Sequence, residues 1–222
     1  MPLVRKPPPQ APIPPQSQAN LAKPNPDESS LGASRFAEAL LHGADDARWN
    51  AARSAGESPD GLAALREAIS REIHPRVREA IFTSLVRIRT SESVEVVLKY
   101  LRSDDSGLRT GALDALRAMP DAVAAYIPQL LKDDDADVRL LACELVRNQP
   151  VADADRLLGE VLATDGEVNV CAAAIEVLAE AGGPELLPRL AECAARFPND
   201  PFLAFAVKLA SERIGSQASI RG

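Results

Sequence analysis

Val138-Arg139-Leu140-Leu141-Ala142-Cys143-Glu144-Leu145-Val146 is one of six versions of a single phrase in this chain. An aliphatic residue is followed by arginine. A small residue comes three or four positions after the aliphatic, and apolar residues come five and eight positions after it. The phrase returns as Val77-Arg78 with Ala80, Ile81, Phe82 and Leu85, and as Leu108-Arg109 with Ala112, Leu113 and Leu116. Weaker versions begin at Ala47-Arg48, Val170-Cys171 and Phe202-Leu203. The starts at 47, 77, 108, 138, 170 and 202 are separated by 30, 31, 30, 32 and 32 residues. A fixed period of this length marks stacked repeats, none of which buries its apolar stripe alone. Stacked repeats build extended surfaces, so the period points to binding more than to catalysis.

A second helix-sized block precedes each later phrase. Val94/Val97/Leu98/Leu101, Val123/Ile127/Leu130/Leu131 and Leu157/Leu158/Val161/Leu162 show the three- and four-residue spacing of one apolar helical face. Ser58-Pro59 and Gly182-Gly183-Pro184 punctuate the blocks as helix starts and stops. The expectation is an all-α solenoid of six antiparallel helix pairs over residues 31–214, with a short C-terminal tail at 215–222.

Composition agrees. The 222 residues are 46% hydrophobic but only 4% aromatic, rich in the helix formers Ala and Leu. Residues 1–30 hold nine of the 18 prolines and are expected to be a disordered, proline-rich tail. Within it, Met1 to Lys6 is a candidate docking peptide. No apolar run has the length of a membrane span, and no apolar stretch follows Arg5 and Lys6, so neither a membrane helix nor a secretory signal is expected. Three cysteines without paired spacing, Cys143, Cys171 and Cys193, read as free buried thiols and a cytoplasmic setting. The net charge is −7, and the first 30 residues contribute +1, so the body is acidic and nucleic acid is not an expected partner.

The acidic turns complete the pattern. Asp104-Asp105-Ser106-Gly107-Leu108-Arg109 and Asp134-Asp135-Ala136-Asp137-Val138-Arg139 resemble HEAT repeats, in the short form of bilin-lyase-like bacterial proteins. The resemblance covers about residues 31–214. It implies a right-handed α–α superhelix of the HEAT/armadillo type whose second helices line the concave face. It also implies that Arg48, Arg78, Arg109 and Arg139 form a structural ladder, bonding to turn carboxylates and carbonyls of successive repeats. The ladder is expected to fade where Cys171 and Leu203 stand in the arginine place.

No catalytic, cofactor or metal site is expected. His42 and His74 lack metal-site or nucleophile context, and no phosphate-binding glycine loop is present. Trp49 is expected to pack in the core of the first repeat. Helical phase points two, six and nine residues after each aliphatic away from the core. This selects Glu79, Thr83 and Val86, Thr110, Asp114 and Arg117, and Leu140, Glu144 and Arg147, with Arg87 one position further, as a candidate protein-binding strip, and Ala172, Glu176 and Ala179 beyond it. Arg117 and Arg147 are expected to be exposed and able to clamp a carboxylate, with Leu140 as an exposed apolar contact. The function these features favour is a non-enzymatic scaffold or adaptor that binds another protein or a peptide. The resemblance leaves two alternatives, a bilin-lyase-like enzyme and a HEAT-like DNA glycosylase.

Overall fold

The structure, a computed structural model, describes residues 37–58 and 60–221. The proline-rich tail, its Met1 to Lys6 segment and the helix start at Pro59 lie outside the described residues. Among the described residues every regular element is helical. Residues 37–42 form α1, which precedes α2 (Asp45–Ala55). The second pair is α3 (Gly61–Ile69) and α4 (Pro75–Ile88). The third is α5 (Ser91–Leu98), extended by a 3-10 turn over Lys99–Arg102, and α6 (Ser106–Arg117). In the fourth, α7 (Pro120–Val123) and α8 (Ile127–Leu130) precede α9 (Ala136–Val146). The fifth is α10 (Val151–Thr164) and α11 (Val168–Ala181). The sixth is α12 (Leu187–Arg196) and α13 (Pro201–Arg221). The segment from 215 to 221 is thus part of α13 in the structure.

The second helices stack in chain order: α2 on α4, α4 on α6, α6 on α9, α9 on α11, and α11 on α13. On the other side α5 packs on α7, and α10 on α12. One continuous apolar core runs from Leu40 to Ile214. Val77, Val138, Val170 and Leu203 are all fully buried in it or nearly so. These side chains open α4, α9, α11 and α13 and lock each between its neighbours, so the repeat period becomes a stacking period.

Two departures from the sequence expectation have local causes. The first-helix block around Val123 and Ile127 is two short helices, because Pro128 has no N–H and its ring collides with the carbonyl four residues back. In the last pair the phrase begins one residue later than expected. Phe202 is 66% exposed while Leu203 is fully buried, so Leu203 takes the aliphatic place and exposed Ala204 the arginine place. The cap explains the register. Asp200 accepts the Leu203 N–H at 2.7 Å, just as Asp105 accepts the Leu108 N–H at 3.2 Å, three residues on.

Candidate interaction face

The second helices are fixed at their N-terminal ends by arginines. Arg48 donates through Nε and Nη2 to both oxygens of Glu72, at 2.7 and 3.1 Å, and through Nη1 to the Gly43 carbonyl at 2.9 Å. Arg78 donates to the Glu72 carbonyl at 2.6 Å and to Asp105 at 2.7 Å. Arg139 donates to both oxygens of Asp165, at 2.7 and 3.1 Å, and to the Asp133 carbonyl at 2.9 Å. Each of these three ties the turn of its own repeat to the turn of the next. Arg109 bonds only to the Ser103 carbonyl of its own turn, at 2.5 Å.

Two of the three carboxylates in this line are buried: the side chains of Glu72 and Asp165 are 4% and 6% exposed, while that of Asp105 is 43% exposed. Burial pushes both acids upward. The hydrogen bonds from Arg48 and from the His74 and Ile73 N–H groups overcome this for Glu72, and those from Arg139 and the Glu167 N–H do so for Asp165. Both therefore titrate below the usual carboxylate range.

The fifth repeat has no arginine at this place. Buried Cys171 turns its sulfur towards the Asp165 carbonyl at 3.6 Å. Arg196, from α12, supplies the missing donors, bonding to the Leu162 carbonyl at 2.6 Å and to the Asp165 carbonyl. The three cysteines are free and buried. Burial pushes the Cys143 thiol up to about 12, so it stays protonated and is a poor nucleophile. Among the described residues no group of three or more His, Cys, Asp and Glu side chains is placed to hold a metal ion.

Away from the turns, the outward positions of the second helices form one face with three chemically distinct stretches. At the start, half-buried Trp49 carries the guanidinium carbons of Arg53 and Arg76 at 4.6 and 4.3 Å from its ring centroid. Trp49 thus packs against the core on one side, as expected, and meets cations on its open side. A cavity of about 360 Å³ is lined by Trp49, Arg53, Arg76, Glu79, Thr83 and Arg87.

Between α4 and α6 lies a groove of about 590 Å³ that brings Glu79, Thr83 and Asp114 together over Phe82, Val86 and Ala115. Gly111 makes room for the floor: a Cβ there would stand 2.7 Å from the Phe82 ring. Thr110 is exposed on the same helix but does not line the groove.

The middle is occupied by ion pairs. Arg117 meets Glu144, and also Asp114 at 3.6 Å; Arg147 meets Glu144 at 3.4 Å, Glu176 at 3.8 Å and Glu180. The side chains of Arg117 and Arg147 are 34% and 26% exposed. Both are half-buried, which corrects the expectation that they are exposed, while the mixed charges of the strip are paired as salt bridges. Carboxylates of α6, α9 and α11 already occupy their donors, because adjacent repeats set these positions within side-chain reach of one another.

The third stretch lies between α9, α11 and α13; the outward positions Leu140, Glu144, Ala172, Glu176 and Ala179 line it, and its α13 side goes beyond what helical phase selects. A groove of about 530 Å³ is lined by half-buried Leu140, by Ala172, Ala173 and Ala206, and by Phe202, Phe205 and Leu209. The last three are 66, 60 and 44% exposed. Leu140 packs against the core on one side and lines this groove on the other. Small side chains on α11 open the floor, and the one-residue shift of α13 turns its aromatics outward.

A family model for HEAT repeats matches residues 33–117 and 123–218. Among solved structures, the chain is similar to an archaeal HEAT-like repeats protein from Thermococcus onnurineus NA1, at 18% identity and TM-score 0.48, covering 86% of this chain and 92% of that one. It is similar to a designed armadillo repeat protein at 15% identity and TM-score 0.40, covering 81% and 98%. It is also similar to a chain of the CpcE–CpcF complex of phycocyanin lyase from Nostoc sp. PCC7120, at 19% identity and TM-score 0.36, covering 83% of each. No curated protein matches the chain. With the period of the phrase, the stacked helix pairs and a family model spanning both halves of the chain, this protein belongs to the HEAT repeat family.

Proposed function

We propose that this protein is a non-enzymatic binding module, a scaffold or adaptor that holds a segment of another protein along the face of its second helices. The observation that carries this reading is the apolar groove at α9, α11 and α13. Phe202, Phe205 and Leu209 stand in solvent around it. Large apolar side chains exposed together over one groove mark an interaction surface, since they gain by being covered. Apolar side chains of the partner fill this groove, and the α4–α6 groove beside Glu79, Thr83 and Asp114 takes the continuing segment. Glu144, Arg117 and Arg147 form the polar rim between them and hold the helices at a fixed spacing. The acidic body favours protein over nucleic acid as partner. No helix among the described residues is long and apolar enough to cross a membrane, so the helices offer no membrane anchor.

The test is capture from the host with the wild-type chain and a Phe202→Asp/Phe205→Asp chain side by side. A protein retained by the first and lost by the second supports the groove. Retention of the same proteins by both chains, with equal melting temperatures, overturns it.

A further inference from the structure

The start of the second-helix face carries a cluster that the apolar groove leaves unused. We infer that Arg53, Arg76 and Arg87, gathered around Trp49, form a binding site for an acidic peptide segment, one that presents Asp or Glu carboxylates. The inference rests on the reading of this face as protein-binding and gives that reading a partner chemistry.

The cluster is assembled by two stacked helices. Trp49 and Arg53 lie four residues apart on α2, and Arg76, Glu79, Thr83 and Arg87 lie on α4, which packs against it. All line one cavity of about 360 Å³. Two guanidiniums rest within 4.6 Å of one indole centroid. A ring face attracts cations, and this offsets part of the repulsion of holding two of them together.

The pairing of these cations sets them apart. In the α6–α9–α11 network each arginine is tied to two or more carboxylates. In the cluster Arg76 has Asp46 at 3.1 Å, but no carboxylate pairs with Arg53 or Arg87 among the described residues. Arg87 reaches only the backbone carbonyl of Arg53, at 3.5 Å. In a chain of net charge −7, two cations of one cavity without a paired carboxylate, Arg53 and Arg87, are a site of unmet electrostatic demand. Guanidinium forks pair with planar carboxylates through two parallel hydrogen bonds, and the Trp49 ring holds two of these forks in place. Glu79 in the same cavity and the acidic body disfavour a long polyanion such as nucleic acid, which needs a continuous basic track. A short run of carboxylates meets only the three arginines.

Trp49 is the only tryptophan, so its fluorescence reports on this cavity alone. The probe is a short synthetic peptide of alternating Asp and Ala, titrated into the full chain; the control replaces each Asp with Asn. The expected result is a saturable change in Trp49 emission with the acidic peptide only, weakening as salt rises. In an Arg53→Ala/Arg87→Ala chain the affinity should fall about tenfold or more, the loss of charge-assisted hydrogen bonds. Both side chains are exposed, so that variant should melt as wild type does. Should it melt early, Arg87→Gln alone carries the same expectation of weaker binding. No saturable response, an equal response to the Asn peptide, or unchanged affinity in the variants overturns the inference. Tighter binding of a single-stranded oligonucleotide in the same titration also overturns it. The Phe202→Asp/Phe205→Asp chain should bind the acidic peptide as wild type does, so failure of the apolar groove is distinguishable from failure of this site.

Discussion

The first four repeats and the last two solve the same packing problem with different chemistry. In repeats one to four an arginine stands at the same place of the second helix, and in three of them it stitches two turns together. In repeats five and six that place holds Cys171 and Ala204, and the stitching is left to Arg196 on a first helix. The outward face changes with it, from arginines and carboxylates around Trp49, Glu79 and Asp114 to an apolar groove under Phe202, Phe205 and Leu209. Core positions of a solenoid are constrained by both neighbours, whereas outward positions are constrained by neither. One stacking rule therefore carries a face whose chemistry differs from end to end.

The anchors should be the most sensitive places in both halves. Arg139→Ala leaves the Asp165 carboxylate buried without its partner and is expected to cost about 3–5 kcal/mol. Arg109→Ala removes one bond to a turn carbonyl and should cost about 1.5 kcal/mol. In the last repeat the equivalent anchor is apolar, and Leu203→Ala should cost about 2–5 kcal/mol through the cavity it leaves. Urea denaturation of the three variants measures all of this. Equal losses for Arg139 and Arg109 would show that bridging between turns adds nothing to a single cap.

Arg196→Ala tests the substitute stitch. It frees two carbonyls at the end of α10, so a loss of about 1.5–3 kcal/mol is expected. A loss near zero would mean that buried Cys171 already closes this turn.

Acid should separate the halves further. Glu72 and Asp165 titrate lower in the folded chain than their ordinary values of 4.5 and 3.8. A depressed folded pKa gives stability that is fully present above the unfolded value and lost as pH falls through the folded one. Stability is therefore expected to be flat with respect to these two groups above pH 4.5 and to decline below it. Arg48→Ala and Arg139→Ala chains should each lose part of that slope. Denaturation midpoints measured from pH 6 to pH 3 provide the check, and a variant slope equal to wild type would sever the ladder from acid unfolding.

The sequence shows the stack and the arginines because the residues that make them recur in phase: the aliphatic at Val77, Leu108, Val138 and Val170, and the guanidinium one place on in the first three of these. Its silence begins where a residue's role depends on what another repeat places beside it. Arg117 and Arg147 read as exposed clamps for a partner's carboxylate until α9 and α11 bring Glu144 and Glu180 to them. Helical phase places Leu140, Ala172 and Ala179 outside, but the apolar groove also depends on Ala173 and Ala206, which by type are indistinguishable from core alanines. The α13 register was within reach, since Asp200 stands three residues before Leu203 as Asp105 does before Leu108 and Asp135 before Val138. Matching the cap instead of the apolar pattern places Phe202 and Phe205 outside.

The smallest expected effect on stability sharpens the comparison most. Phe202 and Phe205 flank Leu203 and are 66% and 60% exposed, against full burial for Leu203. Burial, not residue type, sets the cost of truncation, and surface changes away from caps and ion pairs usually fall within about 0.5 kcal/mol. Phe202→Ser and Phe205→Ser should therefore each stay inside that range in urea, while Leu203→Ala between them does not. Were the register one residue earlier, as the apolar pattern alone reads it, Phe202→Ser would show the large loss and Leu203→Ala the small one. Were the aromatics covered by another part of the chain or by a second copy, both serine variants would lose about 1.5–3 kcal/mol each, the value of a buried Phe. Two aromatic side chains that the fold does not need are then available to a partner, and the same two variants carry the binding test of the apolar groove.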